Sequence, residues 1–249
     1  MSSVTSRVQA PTATLKSGSR AGIWTRTPLP GLLGAVAAAG LCTHLVLPRA
    51  LGVWGTDAPE RSMPLPGDEL IPRPDEVQTM AVTVSAPPDE VWPWLLQMGV
   101  DRAGLYSYTW VENWLLHLGV ENADRIHPEW QDLQVGDVVA FTPDGYPGGR
   151  RGPRVVGMES GRHLVLDLSP GAAPGTVTGT WQFVLRDAGD AGTRLLLRTR
   201  SGPGRPVGLR LMDFLLRPGY LVMDRAMLVG IKERAEGGAR RRHPPLTPE

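Results

Sequence analysis

The chain has one cysteine, Cys42, in 249 residues. That excludes a disulfide framework, a multi-cysteine zinc site and a CxxC redox pair. No GxSxG elbow, Walker loop or HExxH motif is present, so nothing in the sequence marks a nucleophile elbow, an NTPase or a zincin. The five histidines (His44, His117, His127, His163, His243) never stand four apart, and a metal site would have to gather ligands from separate elements. No metal and no cofactor is expected. Aromatic residues make up only 6% of the chain, yet eight of them are tryptophans. Acidic residues are missing from the first 56 positions, where Arg7, Lys16, Arg20, Arg26 and Arg49 precede the first carboxylate, Asp57. What the chain has in plenty is glycine (30) and proline (24), roughly a fifth of its length, which indicates many turns and argues against an all-helical bundle.

The net charge of +1 is the sum of two unlike parts: a leader of +5, and a body with 21 basic residues against all 25 acids. A basic whole-chain footprint for nucleic acid is therefore absent, and no nucleic-acid partner is expected. Residues 1–28 are rich in Ser, Thr and Ala without apolar period and read as a disordered basic leader. Gly31–Leu47 (GLLGAVAAAGLCTHLVL) is an uncharged run at the lower length limit for a membrane span. Residues 29–48 are read as a transmembrane or signal-anchor helix, with a signal peptide or a buried segment as alternatives. The expectation is a single-pass plasma-membrane protein, membrane-bound through residues 31–47. The positive-inside rule favours an extracytoplasmic body.

Residues 49–76 read as a linker or strap, residues 77–236 as the folded domain, and residues 237–249, with Arg240-Arg241-Arg242, as a disordered tail. Met80, Val82 and Val84 alternate as a half-buried strand. Pro87-Pro88-Asp89-Glu90 opens a helix carrying Val91, Leu95 and Met98, which Pro93 should kink and Gly99 should stop. Thr109 and Glu112 form a capping box for a second helix with Trp110, Trp114 and Leu118 on one face. Short strands follow at Asp137–Thr142, Arg154–Met158, His163–Leu168, Thr180–Leu185 and Thr193–Thr199, joined by connections too short for crossovers and hence antiparallel. Val207 to Ala235 is a long amphipathic helix interrupted near Pro218-Gly219. The layout is α+β: a curved antiparallel sheet wrapped around a long C-terminal helix, with an N-terminal apolar helix.

Four segments, Ala86–Gly99 (APPDEVWPWLLQMG), Gly104–Trp110 (GLYSYTW), Ala123–Leu133 (ADRIHPEWQDL) and Met223–Lys232 (MDRAMLVGIK), together with this order of elements, resemble an uncharacterised bacterial branch of the SRPBCC superfamily, the START and Bet v 1-like helix-grip proteins. The resemblance covers about Trp54 to Ala235. It implies a mostly apolar cavity between sheet and C-terminal helix, used by members to bind lipids, sterols, polyketides or hormones and by a minority to cyclise or dehydrate polyketides. No catalytic residue is carried over.

Candidate cavity residues are Trp94, Tyr106, Tyr108, Trp110, Trp114, Arg125, Trp181, Phe183, Tyr220, Met223 and Met227. Each tryptophan has ordinary core packing as its competing reading. The carboxylates Asp124, Glu129, Asp132 and Glu112, standing with Arg125 near Tyr106 and Tyr108, are candidate acid–base groups if burial raises a carboxyl. The competing reading is an Asp–Arg ion pair that ties down a loop. Asp224 is expected to pair with an arginine, its alternative being to face the cavity. Gly145–Gly152 reads as a hairpin loop. The leading functional expectation is binding of an apolar or amphipathic small molecule. A polyketide cyclase or dehydratase and an interaction module with a filled core are the alternatives, and the sequence leaves the oligomeric state open.

Overall fold

The computed structural model describes residues 40, 43, 46–115, 117–169, 175–203 and 207–242. Five antiparallel strands form one sheet in the order β1-β5-β4-β3-β2: β1 Glu76–Val84, β2 Arg154–Glu159, β3 His163–Asp167, β4 Gly179–Asp187 and β5 Thr193–Ser201. Helices α1 (Leu47–Leu51), α2 (Ala58–Ser62) and α3 (Pro88–Leu96) come before the hairpins, and α4 (Val207–Arg242) closes the chain. The α+β architecture, a curved sheet gripping one long C-terminal helix, is the expected one.

Period-two patterning decides which face of the sheet meets the helices. Met80 pairs with Leu197 and Val82 with Leu195, then Leu197 with Phe183 and Leu195 with Leu185, then Phe183 with Leu164 and Trp181 with Leu166. These rows build the main core with Val91, Trp94 and Leu95 of α3 and Leu221, Met227, Leu228 and Ile231 of α4. The opposite rows hold Ala81, Leu196 and Val184 under Leu65 and Met63, a second small core. Coverage on both faces explains why β4 is buried over seven consecutive residues, where a one-sided strand would alternate.

The segment from Gly52 to Ile71 lies on that outer face. Thr79 and Ala81 donate backbone hydrogen bonds to Gly52 O and Trp54 O, which covers the free edge of β1. Arg198, 2% exposed, spends all five donors on the segment and on β1: Nε on Thr79 Oγ1, Nη1 on Met63 O and Asp68, Nη2 on Glu60 O and Arg61 O. Glu60 completes a capping box with Asp57 and receives a two-pronged bond from Arg194, at 2.7 and 2.8 Å. The arginines on this strand face therefore act as clamps.

Several expectations need correction. Asp137–Thr142 makes only isolated bridges, Val138 to Arg154 and Thr142 to Arg151, and not a strand. The helix expected after Thr109 is a single π-helical turn, Val111–Leu115. Glu112 does not cap it: its carboxylate accepts from Ser107 Oγ, while Thr109 Oγ1 accepts from Asn122 Nδ2. Helix α4 runs through Pro218 without a break and on to Arg242, so it forgoes the one backbone hydrogen bond that Pro218 cannot donate.

The expectation of a single-pass plasma-membrane protein is also overturned. Among the described residues no helix is long and apolar enough to cross a membrane. Leu47, the last residue of the apolar run, opens the five-residue helix α1, which packs on α4. Apart from Gly40, Thr43, Val46 and Leu47, residues 29–47 lie outside the described residues, as do 1–28 and 243–249.

Candidate ligand-binding site

The structure separates the candidate residues into two sets. Trp94, Tyr106, Trp181, Phe183 and Met227 meet in the main core. Trp94 and Tyr106 stand edge to face at 5.8 Å, and Tyr106 Oη donates to Trp94 O at 3.0 Å. Burial pushes the Tyr106 phenol well above its ordinary value, so the hydroxyl stays protonated and committed to that carbonyl. Phe183 and Phe141 flank Trp181 at 4.8 and 5.6 Å. Tyr108, Trp110, Arg125 and Tyr220 are exposed, and Met223 is half-buried. The Trp114 side chain lies outside the described set.

Tyr106 is held in an unusual backbone conformation, φ +58°, which a non-glycine residue adopts only where its surroundings impose it. Asn122 Oδ1 accepts from its backbone N–H at 2.6 Å, and the Arg234 guanidinium of α4 lies 5.0 Å from its ring centre. Helix α4 comes so close here that a Cβ at Gly230 would sit 2.2 Å from Tyr106 O. Asn113 ties the same loop by bonding both N–H and C=O of Val120. Glu112 is buried in this loop, with its Oε2 unbonded among the described residues.

The Asp124–Arg125 loop is not tied by an ion pair. Gln97, fully buried, holds it through the backbone: Nε2 donates to Arg125 O and Oε1 accepts from His127 N. Both Asp124 and Glu129 are exposed, and His127 lies 3.1 Å from Glu129. A buried glutamine bonded to backbone leaves no spacing signal, which is why the sequence did not reveal it.

Asp224 departs most from expectation. It occupies the inward row of α4 between Leu221 and Leu228, both buried, and is itself half-buried, with no hydrogen bond or ion pair among the described residues. Burial alone pushes its carboxyl up to about 7, with no neighbouring charge contributing. The cations of α4 are engaged elsewhere. Arg210 pairs with Asp75 at 2.7 Å and Arg217 with Glu76. Arg225 stacks 4.7 Å over Trp54, Lys232 bonds Glu236 and Thr83 O, and Arg234 bonds Ala123 O. One hollow of about 230 Å³ lies where the first turns of α4 cross the ends of β1 and β5, lined in part by Phe214 and Gly202. Another, of about 300 Å³, lies at Ser85–Pro88 beside the β4–β5 turn. Among the described residues no cluster of His, Cys, Asp and Glu could hold a metal ion.

The sheet order, the α3 insertion after β1 and the long closing helix together decide the architecture. The chain has a helix-grip fold. No family model matches the chain, nor does any curated protein. Solved structures with similarity to this helix-grip chain include a Mesorhizobium loti protein at 20% identity, covering 67% of this chain and 98% of its own, TM-score 0.37. A Polyketide_cyc-like protein of Corynebacterium glutamicum matches at 15% identity over 68% and 96%, TM-score 0.38. An AHSA1-like protein of Rhizobium etli matches at 17% over 70% and 90%, TM-score 0.32.

Proposed function

We propose that this chain binds an apolar or amphipathic small molecule against the first half of α4. The supporting observation is where exposed apolar side chains concentrate: of the sixteen large ones among the described residues, eight fall within Val207–Val222 of α4. Contiguous apolar surface of this kind marks a binding site. Covering about 200 Å² of it contributes about 5 kcal/mol at 25 cal/mol per Å².

Cyclisation or dehydration of a polyketide is less well supported, because it needs an acid and a base converging on one skeleton. Asp124 and Glu129 stand at the surface, Tyr106 Oη is spent on Trp94 O and one oxygen of Glu112 on Ser107, which leaves Asp224 without a catalytic partner. The test is native mass spectrometry of the full chain after incubation with an extract of lipids and apolar metabolites. A retained small molecule at one per chain is expected. A bare protein mass under all conditions would overturn the reading and favour a filled-core interaction module.

A further inference from the structure

Along α4, positions four apart form a ridge on the helix surface. Met212, Leu216, Tyr220 and Asp224 make one such row, with exposures of 51%, 43% and 49% for the first three and a half-buried carboxyl at the fourth. Leu228, the next member, is fully buried and ends the row against the core. An apolar strip therefore leads from the helix surface inward and stops at an acid. The strip spans about 18 Å at 1.5 Å per residue, the length of an extended alkyl chain of roughly a dozen carbons.

We infer that Asp224 is the polar anchor of the site, and that its ligand carries a cationic nitrogen at one end of an apolar body lying along Met212, Leu216 and Tyr220. This inference rests on the binding reading above. A carboxyl on the inward stripe of a helix costs free energy unless it is paired, and the usual remedy is a neighbouring cation. Here every arginine and lysine whose side chain is described on α4 is turned to another partner, and Arg225, next in sequence, lies over Trp54 instead. Among the described residues no charged group contributes to the shift of the Asp224 carboxyl, which is raised by burial alone. The missing charge is supplied by a ligand ammonium, which forms an ion pair in a partly desolvated setting. A ligand carboxylate or phosphate meets an unscreened like charge at the same point. The order of preference is thus amine, then alcohol, then carboxylate for a given apolar body.

The experiment uses the full chain at pH 8 with dodecylamine, dodecanol and dodecanoate below their aggregation thresholds, and reads affinity from tryptophan fluorescence and native mass spectrometry. The amine is expected to bind more tightly than the carboxylate by about tenfold or more, the scale of one close charge pair. Asp224→Asn should bring the three within about threefold of one another, while Asp224→Glu keeps the order. The wild-type ranking needs no variant, and thermal melts establish that both variants fold. Equal binding of amine and carboxylate by the wild type, or an unchanged gap in Asp224→Asn, overturns the inference while leaving apolar binding intact. Failure to bind any of the three overturns the underlying reading as well.

Discussion

Asp224 and Glu60 pull the stability of this protein in opposite directions with pH. Burial raises the Asp224 carboxyl to about 7, so the folded state holds its proton more tightly than the unfolded chain. Stability from this group is complete below the unfolded value near 3.8 and is lost as pH rises through about 7. The free energy changes by about 1.4 kcal/mol for each pH unit between those two values, and the carboxyl keeps some accessible surface, so the net cost at pH 8 is about 2–4 kcal/mol. Asp224→Asn should therefore melt higher than wild type at pH 8 and nearly level with it at pH 4; a constant difference across that range would contradict the assignment. The hydrogen bond from Arg194 holds Glu60 below its ordinary value, and that contribution is present above about 4.5 and lost as pH falls. Denaturant titrations should find maximal stability on the acid side of neutrality. Arg198 is the other decisive residue: Arg198→Met leaves the carbonyls of Glu60, Arg61 and Met63 without their donor, and should cost about 3 kcal/mol or more in urea unfolding. In the sequence Arg198 is one of several arginines alternating along β5, and nothing local distinguishes it from a solvated neighbour.

Elements with a clean period were legible, and those made by tertiary contacts were not. The alternation in Thr180–Leu185 and Thr193–Thr199 places β4 and β5 correctly, because the side-chain period of a strand is local geometry. The stretch after Thr109 failed because its capping signal, Thr109 with Glu112, was answered from outside the turn by Asn122 and Ser107. Asp137–Thr142 failed because its alternation found only two bridge partners across a glycine-rich loop. Helix α4 offers a paired test of what decides a glycine's role. Gly230→Ala would force a Cβ to 2.2 Å from Tyr106 O, a backbone atom that cannot swing away, and should cost about 1–3 kcal/mol. Gly237→Ala meets nothing within 4 Å on the same helix and should stabilise by about 0.5–1 kcal/mol. Thermal melts of the two variants should move in opposite directions.

For the whole molecule, the question is what covers the first half of α4. If a ligand lies along Met212, Leu216 and Tyr220, Leu216→Glu should lower retention of apolar molecules in native mass spectra by about tenfold. Its melting point should hardly change, since an exposed substitution costs within about 0.5 kcal/mol. Loss of the fold instead would show that Leu216 is a core residue. The charge asymmetry along the chain, the α+β layout, the antiparallel pairing and the long C-terminal helix were determined by the sequence alone, because composition and periodicity act through local geometry. The tertiary structure alone decided that Trp94 and Tyr106 are spent on each other while Tyr108 and Trp110 face outward, that Gln97 and Arg198 are clamps, and that Asp224 has no counter-charge among the described residues. Whether a polar group is paired depends on which partners distant segments bring within about 3 Å, and spacing along one chain carries no record of that distance.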